Sequence, residues 1–448
     1  MSVQLNPRVS ISNRLERLQD TTYLMKLCGL IYVAAILEIV DMTGIAFLLP
    51  VLGKFWSLQP TALGYLASTT FVGMFFGSFV CGMLADRFGR KPVIIAAMLI
   101  WGVAGVIFAF SWNVETLYIS RFFIGIGFGA QVPLAVTLLS EMVPSHLRGK
   151  YITFFMMLLP LGVSITGLIT YLLLPYWGWR GMFLLEALFS VWALVVWKYF
   201  PESALWLESR SRYSEADSTM SKIEEAIVKS TGRPLLPIED KPVSASKKET
   251  VNKSFSELFT KSYIKITIMN AIWMITNMMG FYGIGIWLNS LLVAKGFSII
   301  KSTGYVSLIA LGGVPAYFLI RYLVDKIGRK WPVVLMAFMT AGTAYFYGQA
   351  TTLAMVIATG LLFMFAQYGY NMVTMVYIPE LFPTHMRVTG TGFTMACGRI
   401  GATLGPVVIG YIIAMYGSQT VMIFAFAINL LGGLVVAVLG PETKGKVF

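Results

Sequence analysis

Charge is what this sequence has least of. Of its 448 residues 12% are Asp, Glu, Lys or Arg, against ~25% in a typical soluble domain, while 57% are hydrophobic. That balance excludes an ordinary soluble globular chain. Cysteine is almost as scarce. Cys28, Cys81 and Cys397 each lie in an apolar run with no CxxC spacing, so neither a disulfide framework nor a thiolate metal site is suggested. The histidines are His146 and His385, and there is no HExxH and no GxxxxGK[ST], so zinc hydrolysis and phosphate cradling have no residues to work with. Gly125, Gly127 and Gly129 sit inside an apolar run with no strand before them. They suit close helix packing better than a dinucleotide turn. No enzyme chemistry, metal or cofactor is therefore expected. The net charge of +13 is assigned to loops beside a membrane, with no nucleic-acid partner.

What the chain does have is long apolar runs and an internal repeat. The stretch Gly82-Met-Leu-Ala-Asp-Arg-Phe-Gly-Arg-Lys91 returns as Arg321-Tyr-Leu-Val-Asp-Lys-Ile-Gly-Arg-Lys330. Asp325 comes 239 positions after Asp86 (325 − 86), and the same offset carries Glu141 to Glu380, His146 to His385 and Arg148 to Arg387. Pro201-Glu202-Ser203 is matched by Pro441-Glu442-Thr443. A spanning helix needs about 20 apolar residues. Windows of that size lie near 24–52, 60–84, 92–111, 115–140, 151–175 and 180–200, then 262–293, 303–324, 331–349, 352–379, 388–415 and 419–440. The expected fold is an all-α membrane protein of twelve transmembrane helices in two six-helix bundles. The domains are a polar arm (1–23), the first bundle (24–200), a polar linker (201–261), the second bundle (262–441) and a tail (442–448). Within the linker, Ser214–Lys229 reads as an amphipathic helix and Thr231–Val251 as a spacer.

The basic residues Arg87, Arg90, Lys91, Arg148, Lys150, Arg329, Lys330 and Arg387 fall on the side of the amino terminus. Both termini are then cytoplasmic, in a cell (inner) membrane, with no cleaved signal segment. Acids alternate with these bases in both halves: Asp86, Arg90, Glu141, Arg148 and Glu202, then Asp325, Arg329, Glu380, Arg387 and Glu442. Orientation alone explains the arginines but not the matched acids. The set reads as a cytoplasmic gate, with charge networks between bundles that break on opening.

Inside the spans, Glu38 and Asp41 share one face of the first helix, Arg121 lies in the fourth and Arg399 in the eleventh. Such groups are costly in hydrocarbon and mark substrate or proton routes. Asp41 with Arg121 reads as a proton-coupling pair whose charge switches with hydration; the alternative is a static pair docking two helices. Glu38 is either a second titrating group or a side chain reaching a polar cavity. Arg399 presents a planar fork that fits a carboxylate, or else caps backbone carbonyls. Aromatics crowd the seventh and tenth helices, and a subset facing a cavity would stack on a flat ring. The substrate-binding set expected is Arg399, Gln131, Asn277, Tyr282, Trp287, Asn289, Gln367, Tyr370 and Asn371.

The paired loops, Arg121-Phe-Phe-Ile-Gly-Ile-Gly-Phe-Gly129, Trp179-Arg180-Gly-Met-Phe183, Pro201-Glu-Ser and Pro441-Glu-Thr together resemble the major facilitator superfamily, and most of all its sugar porter-like clan. Ile39-Val-Asp-Met-Thr-Gly44, Trp287–Ser298 and Gly398-Arg-Ile-Gly-Ala-Thr-Leu-Gly-Pro406 are similar to bacterial niacin transporters; the last also resembles aromatic acid:proton symporters. Sugar porters carry a Gln-Gln pair and an Asn around a glycine of the seventh helix, and a tryptophan in the tenth. Here Thr276-Asn277, Tyr282 and Met375 stand in those regions, so the sugar-hydroxyl set is replaced. The resemblance implies alternating access around a midplane site, with the helix 1 aspartate and helix 4 arginine coupling protons. It implies a secondary active transporter importing a small aromatic carboxylate, nicotinate first, by proton symport, as a monomer in the lipid bilayer. Another aromatic or organic acid, a sugar, or a transporter-like ligand sensor are the alternatives.

Overall fold

The computed structural model describes residues 10–237, 255–383 and 385–445. Among these there are helices and no strand. The order is α1 (Ile11–Glu16), α2 (Thr22–Phe55), α3 (Pro60–Phe88), α4 (Arg90–Ala109), α5 (Val114–Met142), α6 (Ser145–Leu188), α7 (Trp192–Tyr199), α8 (Ala204–Ser209) and α9 (Tyr213–Thr231). Then come α10 (Ile264–Met278), α11 (Gly285–Ala294), α12 (Ile299–Ala310), α13 (Gly313–Ile327), α14 (Lys330–Gln349), α15 (Leu353–Glu380), α16 (Arg387–Tyr416) and α17 (Thr420–Leu439). The protein is an all-α, multi-span membrane protein.

Ten helical runs among the described residues are long and apolar enough to cross a membrane. The sequence led to an expectation of twelve, and two differences account for the count. The fifth and sixth expected spans are one 55-residue run, Ser145–Tyr199, broken at Gly178 with φ 61°, a left-handed conformation that glycine adopts without a Cβ penalty. And α14, with Tyr345, Tyr347 and Gln349 at one end, falls short of the others in apolarity.

The ends are set by local chemistry. Thr21 accepts from Leu24 N (3.2 Å), Asn113 from Thr116 N (2.8 Å) and Thr352 from Met355 N (3.3 Å), each satisfying an orphan donor of a first turn. The two repeated loops use one device twice. Gly89 and Gly328 turn the chain at φ 107° and 97°, and a carboxylate from the end of the same half caps the next helix. Glu202 accepts from Arg90 N (3.1 Å) and Lys91 N (3.3 Å), and Glu442 from Arg329 N (2.9 Å). A Cβ on either glycine would run into that carboxylate.

Helix packing rests on small residues. At Gly73 and Gly77 of α3, and at Gly125 and Gly129 of α5, an added Cβ would strike the backbone of the facing helix; Gly127 meets α4 in the same way. The expected packing role of these glycines is what the structure shows. The halves meet through α3 with α16, α6 with α12, and α2 with α11. Tyr65 and Tyr411 hydroxyls lie 3.0 Å apart, Ser68 Oγ donates to Thr403 O (2.6 Å), Ser307 Oγ to Ser164 O (2.6 Å), and Asn289 Nδ2 to Phe47 O (2.7 Å). All of these lie away from the repeated loops. At the loop end, no hydrogen bond or ion pair joins the halves among the described residues.

Candidate functional site

Between the halves, just inside that closure, lies a cavity of about 80 Å³, room for several waters or a small ring. Its wall is mainly apolar, and six of its lining residues are aromatic. Phe71 of α3 meets Tyr282 at 4.9 Å between ring centroids, Tyr282 meets Phe281 at 5.0 Å, and Phe281 meets Tyr368 at 5.3 Å. Phe281 and Tyr282 belong to a π-helical turn, Met279–Ile284, joining α10 to α11. Such turns widen a helix locally and recur at functional sites. The polar lining is sparse: Thr43, Tyr282, Asn289, Gln367 and Tyr368. Asn289 Oδ1 and Gln367 Oε1 are buried without a hydrogen-bond partner, so two amides border the cavity with unused capacity.

A group of charges flanks it. Arg121 is fully buried, with Nη1 3.9 Å from Asp41 Oδ1. Its guanidinium lies over Phe108 (4.3 Å) and Phe183 (4.7 Å). Glu186 of α6, 1% exposed, interacts electrostatically with both Asp41 and Arg121, and neither of its carboxyl oxygens has a hydrogen-bond partner. Sequence reasoning missed Glu186. The signal was present as a lone acid in Met182-Phe-Leu-Leu-Glu-Ala-Leu188. Two carboxyls facing one guanidinium carry a net negative charge unless one holds a proton, which is the charge arrangement of a proton-binding site. Glu38, 2% exposed, lies one turn before the cavity residue Met42. It interacts with Arg399 and Asp41. Arg399 is half-buried, interacts electrostatically with Tyr282, and is not among the cavity residues.

Of the expected binding residues, Tyr282, Asn289 and Gln367 line the cavity. Asn277 stands behind them, accepting from Gln367 Nε2 (3.4 Å) and donating to Thr374 Oγ1 (3.3 Å). The others are placed elsewhere. Gln131 donates to Ala34 O (2.9 Å) and accepts from Trp101 Nε1 (3.3 Å), joining three helices. Trp287 Nε1 donates to Pro406 O (3.0 Å), locking α11 onto α16. Tyr370 is fully buried and Asn371 half-buried, and neither is among the cavity residues. Thr43 and Phe71 were not anticipated. Nothing in a helical run says which threonine or phenylalanine faces the other half.

The gate residues are brought together, but within each half. Arg90 pairs with Asp86 (3.1 Å) and Glu141 (3.3 Å), and Arg329 with Glu380 (3.0 Å). Arg148 and Arg387 donate to Val143 O (3.3 Å) and Phe382 O (3.4 Å), the same local contact in each repeat. Asp325 is exposed. Among the described residues each of these ion pairs lies within one half.

Many membrane-spanning helices around a buried, mainly apolar cavity with ionisable residues buried inside the spans are what a membrane transporter requires. Comparison with known proteins gives the family. Residues 33–448 match the family described as sugar (and other) transporter. The niacin transporter NiaP of Acinetobacter baylyi is 33% identical over 442 residues, 98% of each chain. A 4-hydroxybenzoate transporter of Pseudomonas aeruginosa is 30% identical, over 86% of this chain and 85% of that one. The structure of the xylose transporter XylE from E. coli in a partially occluded inward open conformation has the same fold, with TM-score 0.76 at 19% identity, over 96% of this chain and all of that one. The chain belongs to the sugar (and other) transporter family, in the sugar porter-like clan of the major facilitator superfamily.

Proposed function

We propose that this chain imports a small aromatic carboxylate, nicotinate before others, by proton symport. The observation that carries the reading is the cavity itself: four contacting aromatic rings in its wall, one of which, Tyr282, interacts electrostatically with the half-buried Arg399. Rings offer faces to a flat heterocycle, and a guanidinium offers its carboxylate two hydrogen bonds. The names of the niacin and 4-hydroxybenzoate relatives describe ligands of that shape and charge. Asp41, Arg121 and Glu186 supply the proton site. The full reading has twelve spans in two bundles (24–200 and 262–441), both termini cytoplasmic in a cell membrane, and a monomer that exposes the cavity to each side in turn. The repeated charge sets then steady each half at the cytoplasmic end while the halves rock. Hydroxybenzoates are the second reading, favoured by the 30% relative. A thermal-shift panel on purified protein tests the class. Nicotinate or 4-hydroxybenzoate should raise the melting temperature and xylose should not; stabilisation by xylose alone would overturn the reading.

A further inference from the structure

Two amides of the cavity wall are fixed in orientation by what lies behind them. Asn289, 1% exposed, donates through Nδ2 to Phe47 O (2.7 Å) and to Thr303 Oγ1 (3.4 Å). A backbone carbonyl can only accept, and Thr303 gives its own hydrogen to Ile299 O (2.9 Å). The amide nitrogen must therefore face these two groups, and Oδ1 is the atom left over. Gln367, 3% exposed, is fixed by a longer relay. Thr374 Oγ1 donates to Tyr370 O (2.7 Å), so toward Asn277 Nδ2 (3.3 Å) it accepts. That turns Asn277 Oδ1 to Gln367, where it accepts from Nε2 (3.4 Å) and leaves Gln367 Oε1 over. Both leftover oxygens are buried without a hydrogen-bond partner, and both residues line the cavity. Thr43, also in the wall, gives its hydrogen to Ile39 O (2.7 Å). The remaining polar groups there are the hydroxyls of Tyr282 and Tyr368, which can donate or accept.

On the reading of this cavity as an aromatic-acid site, we propose that Asn289 and Gln367 form an acceptor subsite, which selects acids bearing a hydrogen-bond donor on the ring: a hydroxyl, an amine or a protonated ring nitrogen. A carboxylate brings acceptors only, so the acid group points away from these amides and the far side of the ring faces them. A ring without a donor seals both oxygens from water and leaves them unpaired, which costs the desolvation of each. A ring with a donor recovers that loss. 4-Hydroxybenzoate answers through its hydroxyl, and nicotinate through its ring nitrogen in the protonated, zwitterionic form. Sites built to pair with a polar group reject the analogue that lacks it far more strongly than a hydrophobic pocket rejects a change of size. Asn277 and Thr374 do not line the cavity. They are positioning residues, which act by holding Gln367 with its oxygen toward the ligand.

Calorimetry on the purified full chain compares 4-hydroxybenzoate with 4-fluorobenzoate, a ring of nearly the same size whose substituent cannot donate. 4-Hydroxybenzoate should bind about 5- to 150-fold more tightly, the range for one buried group left unpaired. That comparison needs no variant to fold. Gln367→Leu and Asn289→Leu each remove an acceptor. Each should weaken 4-hydroxybenzoate more than 4-fluorobenzoate and bring the ratio toward one. Thr374→Val leaves the cavity wall intact but removes the hydroxyl that orients Asn277. The Asn277–Gln367 pair can then invert and turn an N–H to the ligand, so the ratio should fall there too, which a merely structural threonine would not cause. Equal binding of the two acids by the unaltered chain overturns the proposal, as does a ratio unchanged in the folded leucine variants or in Thr374→Val. If the unaltered chain binds none of nicotinate, 4-hydroxybenzoate and 4-fluorobenzoate, it is the aromatic-acid reading that falls, and this proposal with it.

Discussion

Arg121 has no hydrogen-bonded partner at any of its three nitrogens and no exposure to water, yet it faces two acids. That asymmetry predicts how the site responds when the acids are removed singly and together. Unit charges about 4 Å apart attract by roughly 4 kcal/mol at an effective dielectric near 20. Breaking a buried pair by deleting one partner typically costs about 3–5 kcal/mol, because the survivor is left uncompensated. Asp41→Asn, however, leaves Glu186 to ionise against Arg121, and Glu186→Gln leaves Asp41. Each single change should therefore cost about 1 kcal/mol, an ordinary substitution. The double variant strands the guanidinium between Phe108 and Phe183 and should cost about 3–5 kcal/mol, well beyond the sum. Denaturant unfolding of the four proteins in one detergent, read as a double-mutant cycle, gives the coupling. A double variant that matches the sum of the singles to within about 0.5 kcal/mol would refute the shared-guanidinium account. So would an Asp41→Asn protein as unstable as the double variant.

The same geometry carries further outcomes. Arg399→Gln should abolish the preference for nicotinate over nicotinamide, a loss of about 10- to 150-fold, while Arg399→Lys weakens binding and keeps the preference; competition binding with both ligands checks this. Arg90→Ala should slow turnover without changing ligand affinity, since Arg90 pairs with Asp86 and Glu141 at the loop end, away from the cavity; a large loss of affinity in folded protein would mean it acts on the site. Acid should release the amino-terminal arm, where Arg14 and Arg17 hold Glu224 at 2.7 and 2.8 Å. Burial pushes the Glu224 carboxyl up, but the hydrogen bonds from both arginines outweigh it and hold it below the usual carboxylate range. Docking is then fully present above the free value of ~4.3 and is lost as pH falls through the lowered one. Spin labels at positions 12 and 222 should keep their distance from pH 8 to 5 and separate only below about 4; separation near neutrality would assign the docking to another group.

The fold was legible because duplication and hydropathy are properties of runs, not of single side chains. Both loops fall between helices as expected, and Ser214–Lys229 lies within α9. Most of the expected spacer, 238–251, falls outside the described residues. The arm, read as a polar lead-in, instead buries Ile11, Leu15 and Leu18 and docks on α9 through Arg14. Its partner helix lies some 200 residues away, beyond any local pattern. The site was legible by residue type but not by direction. Tyr282, Asn289 and Gln367 reach the cavity, whereas Trp287 and Gln131, equally suited to a ligand, turn to backbone carbonyls of neighbouring helices. In a helix apolar on every side, the face that meets the cavity is decided by packing across the two halves. Glu186 was missed for a plainer reason: an acid within an apolar run is as readable in the sixth span as Asp41 is in the first.

The central claim, acid import coupled to protons at a site built from Arg399 and the Asp41–Arg121–Glu186 group, is tested most directly in proteoliposomes. Labelled nicotinate is supplied outside and a pH gradient, acidic outside, is imposed. Nicotinate should accumulate above the external concentration and fall back when a protonophore collapses the gradient. Binding without accumulation, or an internal level that only equilibrates whatever the gradient, would contradict it.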